Sequence, residues 1–239
     1  EKVSSVLPTS CISCPSLLNS ERCLLDLLRV ESAEEAQAIL RALSIAEAED
    51  ALIEAARAHG LTPALYAHLS AWPQVLSRGA WESLRADFWQ TAARNTLLYH
   101  ELGRALEDLR ARGIRVLALK GATLAETLYE NVALRPMGDA DLLVPKAALA
   151  EAIAILQESG YQQTMQEAHV GFGPDYENEA ALVCPAKNMA LELHWHLIDA
   201  PFYTQEVSEG AIWAEATPAR IAGCLMESFR PEAMLVYLS

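Results

Sequence analysis

The period of the hydrophobic pattern changes at Gly113, and that change constrains the fold more than any other feature. From Ser20 to about Arg112 apolar residues recur at helical spacing. Beyond Gly113, short apolar runs alternate with helical segments as far as about residue 200. A chain ordered this way is neither a helical bundle throughout nor a β-sandwich. It reads as α+β, a helical N-terminal region followed by a sheet-containing core. The expected divisions are a flexible tail at 1–19, a helical region at 20–112, a core at 113–200, and at 201–239 the start of a C-terminal helical region.

Within the helical region, Ser32 with Glu35 and Ser44 with Glu47 fit the capping box, each ahead of an Ala/Leu/Glu-rich run. Gly60 is a stop, and Thr62-Pro63 starts the next helix with proline in its first turn. Trp81, Leu84, Phe88, Ala92, Leu98, Leu102, Leu106 and Leu109 form the stripe of a long helix running to Arg112, and residues at that spacing are core. His59, His68 and His100 stand alone on helices and read as structural or solvated. Downstream, strands are expected at 114–119, 137–144, 161–165, 181–184 and 189–196. Helices are expected at 122–129 and from Pro145 to Ser159, the latter stopped by Gly160. After Asp199, 208–216 and 231–239 read as helices. The apolar run Met234–Leu238 calls for a partner and suggests a chain continuing past Ser239.

With 239 residues and 52% hydrophobic content the chain can bury a substantial core. Its net charge of −14, from 32 acidic and 18 basic residues, argues against binding along an extended nucleic acid, which needs clustered cations. A nucleotide remains open. No apolar run approaches the roughly 20 residues that span a bilayer, and Glu1–Ser20 does not read as a signal peptide. Five cysteines at irregular spacing suit a reducing compartment, so the cytoplasm is the expected location. Cys11-Ile12-Ser13-Cys14, with Cys23 nearby, reads as free thiols in preference to a zinc site.

Three pieces carry chemistry. In Met137-Gly138-Asp139-Ala140-Asp141-Leu142-Leu143-Val144, strand alternation turns Asp139 and Asp141 to one face and Ala140 and Leu142 to the other. Two carboxylates about 5 Å apart repel by roughly 3 kcal/mol at an effective dielectric near 20, and a divalent cation reverses that sign. A solvated strand end is the bland alternative. In Leu191-Glu192-Leu193-His194-Trp195-His196, Glu192, His194 and His196 share a face. Glu192 would complete an oxygen-rich site for Mg2+ or Mn2+, with a histidine bonding a liganding carboxylate from behind. The competing reading is His194 and His196 as a zinc pair. Third, Lys120-Gly121-Ala122-Thr123 lies at a strand-to-helix turn. There a glycine lets phosphate approach backbone N–H groups, Lys120 adds charge and Thr123 a hydroxyl. Arg135 is either a phosphate clamp or an ion-pair partner. The turn is neither a P-loop nor a GxGxxG fingerprint.

Taken with Leu128-Tyr129, Arg135-Pro136, Ala93-Arg94-Asn95 and Glu101-Leu102, these motifs resemble the uncharacterised nucleotidyltransferase family of the DNA polymerase β-like superfamily, over about residues 40–239. The resemblance implies a nucleotidyltransferase core with a mixed sheet. It also implies two divalent ions held by Asp139, Asp141 and Glu192, and a glycine turn at Gly121 receiving the triphosphate. Ala122 stands where the superfamily carries Ser or Gly, so that position offers no hydroxyl. The expected activity is transfer of a nucleoside monophosphate from an NTP to an acceptor hydroxyl on a small molecule or protein, releasing pyrophosphate. One ion held by all three acids would activate the acceptor oxygen. The other, held by Asp139 and Asp141, would neutralise the triphosphate. A nucleotide- or partner-binding module on the same fold is the alternative, and a zinc hydrolase a third.

Overall fold

A computed structural model describes residues 19–42, 47–129, 131–164, 178–197 and 207–238. Ser44, the Cys11–Cys14 pair and the expected tail lie outside the described residues. The chain divides into two compact units, Glu1–Ala86 and Asp87–Ser239.

In the first unit, helices α1 (Asn19–Leu27), α2 (Ala33–Ala42), α3 (Glu47–Ala58) and α4 (Thr62–Leu69) pack with the first turns of α5 (Arg78–Ala111). Their shared core includes Leu24, Leu27, Leu52, Leu65, Leu69 and Leu84. Ser32 caps α2 as expected: its hydroxyl accepts from Glu35 N–H at 3.2 Å, and the Glu35 carboxylate reaches back to Glu31 N–H at 2.9 Å. Gly60 stops α3 at φ 64°, in the left-handed region that glycine tolerates. His59 meets Glu21 at 3.1 Å, and the His68 ring donates to the Val30 carbonyl. Burial and the nearby Asp26 push the Cys23 thiol up to about 11, which leaves it an inert core group.

Among the described residues, the second unit is built on a seven-stranded mixed sheet. Its strands are β1 (Leu117–Ala118), β2 (Ala140–Leu143), β3 (Gln162–Gln163), β4 (Glu179–Cys184), β5 (Met189–His194), β6 (Ala216–Ile221) and β7 (Cys224–Phe229), in the order β3-β4-β5-β2-β1-β7-β6. The β2–β5 and β1–β7 pairs are parallel; the others are antiparallel. The remaining helices are α6 (Lys120–Thr127), α7 (Leu149–Glu158), α8 (Glu209–Ala214) and α9 (Pro231–Leu238). This is the α+β arrangement with a mixed sheet that the sequence implies.

Alternation along the central strands divides the unit's core in two. Ala118, Leu142, Leu191 and Leu193 join a cluster with Leu102 of α5 and Ile155 of α7. Leu117 and Leu143 face the opposite way and pack with Ile212 and Trp213 of α8 and Met234 of α9. The C-terminal part of α5 therefore belongs to the sheet unit, whereas sequence placed the whole helix before the boundary at Gly113. Glycine marks where the period changes, but Leu98, Leu102, Leu106 and Leu109 decide which core the helix joins. The sheet also extends past residue 200. Between the two expected terminal helices lies the β6–β7 hairpin, which turns at Ala222-Gly223 with φ 51° and 78°, as two-residue hairpin loops require. Among the described residues no helix is long and apolar enough to cross a membrane.

That hairpin turn docks on α5. Cys224 Sγ donates to the Gly103 carbonyl at 3.4 Å, and Ala222 N–H donates to the Glu126 carboxylate at 3.2 Å. A Cβ on Gly103 would sit 2.8 Å from the Ala222 carbonyl oxygen. That partner is backbone, so relief requires moving the whole turn. Gly103→Ala is accordingly expected to destabilise the protein by about 1–2 kcal/mol, even though alanine favours helix by roughly 1 kcal/mol. Chemical denaturation checks this; a more stable variant would contradict the packing.

Candidate active site

The centre of the sheet brings two carboxylates together by register. In the parallel β2–β5 pair, Asp141 lies opposite Glu192 and Leu143 opposite His194. In the antiparallel β4–β5 pair, Glu179 lies opposite His194. His194 is buried, with Nε2 at 3.1 Å from Asp141 Oδ1 and 3.6 Å from Glu192 Oε2. Its Nδ1 lies 3.4 Å from Glu179 Oε2. Lys120 Nζ donates to Asp141 Oδ1 at 3.1 Å and stands 5.8 Å from the Tyr237 ring centroid of α9.

These neighbours separate the two acids electrostatically. Burial alone would raise Asp141, but hydrogen bonding from His194 and the charge of Lys120 outweigh it and hold the carboxyl below its ordinary value of 3.8. Glu192 moves the other way, pushed up by burial, by its hydrogen bond with Asp141 and by the charges of Glu179, Asp141 and Asp139. The two acids therefore differ in their affinity for a proton, Glu192 holding one more readily than Asp141. Burial disfavours the Lys120 ammonium, yet the Asp141 carboxylate and Tyr237 together raise its pKa.

The donor set fits a divalent ion. One ligand atom each from Asp141, Glu192 and His194 lie within 4.8 Å of one another. Ligands about 2.1 Å from a common ion stand about 3.0–3.4 Å apart in octahedral or tetrahedral geometry, close to the observed 3.1 and 3.6 Å contacts. Asp139 lies outside this trio, half-buried one residue ahead of β2, and reaches Glu192 through its charge. His196 is also outside it, its Nε2 bonded to the Val207 carbonyl at 2.9 Å. The two histidines therefore do not meet at one point.

The glycine turn opens α6 directly beside this cluster. Leu119 N–H donates to the Asp141 carbonyl, and Lys120 begins the helix at φ 37°, a left-handed value that costs a non-glycine residue energy. Gly121 lies against Met137: an added Cβ would meet its Cγ and Sδ, both at 3.3 Å. Ala122 is fully buried and its carbonyl accepts the Tyr99 hydroxyl. The Thr123 hydroxyl is also buried, donating to the Ala118 carbonyl at 3.0 Å and lying 3.3 Å from Ser228 Oγ. Arg135 stands 6.0 Å from the Tyr129 ring centroid, and its Nε is a buried donor with no hydrogen-bond partner among the described residues. That Nε would lie 3.9 Å from a Cβ on Gly121, so the guanidinium borders the first turn of α6.

Sequence reasoning gave no role to four residues that contribute here. Glu179 lies two residues ahead of where the β4 strand is expected to start, so its alternation with Ala181 goes unread. Tyr237 belongs to a helix that reads only as apolar. Arg94 and Asn95 stand out in sequence without a role; in the structure they suspend the loop before β2. Arg94 donates to the Met137 and Gly138 carbonyls at 3.0 and 3.1 Å, and buried Asn95 to those of Val132 and Arg135 at 2.5 and 2.7 Å.

A mixed sheet that aligns an acid of β2 with one of β5, next to a helix that starts at a glycine turn, is consistent with a nucleotidyltransferase fold. The chain belongs to the uncharacterised nucleotidyltransferase family, whose sequence model matches residues 46–239. No curated protein and no solved structure matches it.

Lys120→Met tests the electrostatics. Without the ammonium, the Asp141 pKa is expected to rise toward its ordinary value, followed by NMR titration of its carboxyl carbon. A depressed carboxyl stabilises the fold above its unfolded-state pKa, and that stability is lost as pH falls through the folded value. The variant should therefore be less stable at neutral pH and lose less on acidification below about pH 4. An unmoved Asp141 titration would refute the pairing.

Proposed function

We propose that the protein transfers a nucleoside monophosphate from an NTP to an acceptor hydroxyl and releases pyrophosphate. The observation that carries this reading is the register that sets Asp141 beside Glu192, with His194 between them and α6 starting next to Asp141. Asp141 and Glu192, with Asp139 beside them, would hold divalent ions, which when bound supply the positive charge that phosphoryl transfer requires.

The chain's own groups do the rest. Asp141, its pKa lowered by His194 and Lys120, faces Glu192, whose pKa is raised by burial and by neighbouring carboxylates. The unpaired N–H groups at the start of α6 receive phosphate oxygens, and the close packing of Gly121 on Met137 keeps that turn free of a side chain. Arg135, with its unpartnered Nε beside the turn, clamps the triphosphate. Lys120 carries a firmly held charge from Asp141 toward the same phosphates. The acidic balance of the chain favours a small-molecule or protein acceptor, and the buried thiols of Cys23, Cys184 and Cys224 suit a reducing cytoplasm.

A second reading, a nucleotide-binding module without turnover, draws on the α6 turn. Ala122 has no hydroxyl, and that of Thr123 is already committed inside the core. A radiolabelled-NTP transfer screen against cell extract, with Mg2+ or Mn2+, separates the two. The intact protein is expected to label an acceptor, and the Asp139→Ala/Asp141→Ala double variant to be slower by about 100-fold or more, the rate equivalent of several kcal/mol of charge stabilisation. Metal-dependent NTP binding without pyrophosphate release would favour the module, and full transfer by the double variant would end the mechanism.

A further inference from the structure

We infer that His194 is itself a metal ligand, so that the site takes a first-row transition ion, with Mn2+ as the probe, in preference to Mg2+, and that Glu179 is the positioning residue that aims the imidazole. This rests on the metal-dependent reading above.

The argument starts from the imidazole's surroundings. Both ring nitrogens of a buried histidine face carboxylates: Nδ1 faces Glu179, while Nε2 faces Asp141 and Glu192. A neutral imidazole has one N–H and one lone pair. Nε2 hydrogen-bonds the Asp141 carboxylate at 3.1 Å, and a divalent ion would take the place of that proton, the Nε2 lone pair turning to the ion while Nδ1 faces Glu179 at 3.4 Å. Lys120 compensates only the Asp141 side of this arrangement. A cation between Nε2, Asp141 and Glu192 would meet three ligand atoms that already lie within 4.8 Å of one another.

Glu179 lies beside the nitrogen remote from the proposed ion, where histidine ligands commonly carry a carboxylate. Glu179 is placed by the β4–β5 ladder, directly opposite His194, so the sheet and not a loop sets the ring's orientation. The consequence is a choice of ion. Mg2+ favours oxygen ligands and retained water, whereas imidazole nitrogen suits transition ions. His196 is not part of this converging trio; its Nε2 is bonded to the Val207 carbonyl.

The test uses chelator-stripped protein titrated with Mn2+ alone. Free Mn2+ is read by electron paramagnetic resonance, and Mg2+ is then added as competitor. Mn2+ is expected to bind about 10-fold or more tightly than Mg2+, and the spin-echo envelope of bound Mn2+ to carry modulation from a directly bonded nitrogen. This readout needs only the unaltered protein, so it stands even if a variant fails to fold. His194→Gln should abolish the modulation and collapse the preference. Glu179→Gln should weaken Mn2+ binding about 10-fold or more, with Glu179→Asp restoring part of the loss. Bound Mn2+ without nitrogen modulation, in a protein that still transfers NMP, overturns the inference and leaves the transferase reading standing. Nitrogen modulation in a protein that transfers nothing upholds the ligand set and overturns the transferase reading. Full Mn2+ affinity in Glu179→Gln overturns the positioning role.

Discussion

The parallel register between β2 and β5 is the constraint on which the rest of the second unit depends. It sets Asp141 directly beside Glu192 at the centre of a sheet, where two ionised carboxylates are least welcome. The surrounding structure answers that conflict. Lys120 reaches Asp141 from the first residue of α6, at a backbone angle few lysines adopt. His194 enters from the same strand as Glu192, and the two acids settle with displaced affinities for protons. A one-residue slip would turn each acid into the apolar cluster on the other face. The packing of Leu142, Leu191 and Leu193 thus enforces the register.

The two faces of the sheet do different work. One is sealed by α5 and α7 and contains the larger apolar cluster. The other is partly covered by α8 and α9, and strand alternation puts Asp141, Glu192 and His194 on that side. Tyr237 therefore comes within reach of Lys120, although more than a hundred residues separate them in sequence. Arg115 shows the same face from its far side, paired with Glu227 of β7 and stacked 4.4 Å above the Trp213 ring.

Much of this was legible in the sequence because it is local. The capping of α2 by Ser32, the stops at Gly60, Gly113 and Gly160, and the alternation of Asp139 through Leu143 each depend on a few neighbouring residues. The apolar stripe of α5 was equally plain. What sequence could not show is partnership. Nothing local says that the second half of α5 belongs with the sheet. The β6–β7 hairpin lacks the Asn-Gly or Asp-Gly signal of its turn, using Ala222-Gly223 instead. Its outer strand carries Pro218 and exposed side chains, as an edge strand tolerates. Glu179 acquires meaning only once β4 is laid against β5. Thr123 shows the converse: a hydroxyl that sequence offered to a phosphate is bonded within the core.

The loop that leads into Asp139 hangs from α5 by four carbonyl oxygens, gripped by two consecutive residues, Arg94 and Asn95. The helix, and not the loop, thus sets where Arg135 and Asp139 stand. A stiff rod attached in this way acts as a lever. Sliding α5 along its axis by one residue, about 1.5 Å, would drag all four carbonyls with it, a displacement comparable to the tolerance that separates productive from unproductive alignment of reacting atoms. A shift of this part of α5 would therefore carry the loop before β2 with it.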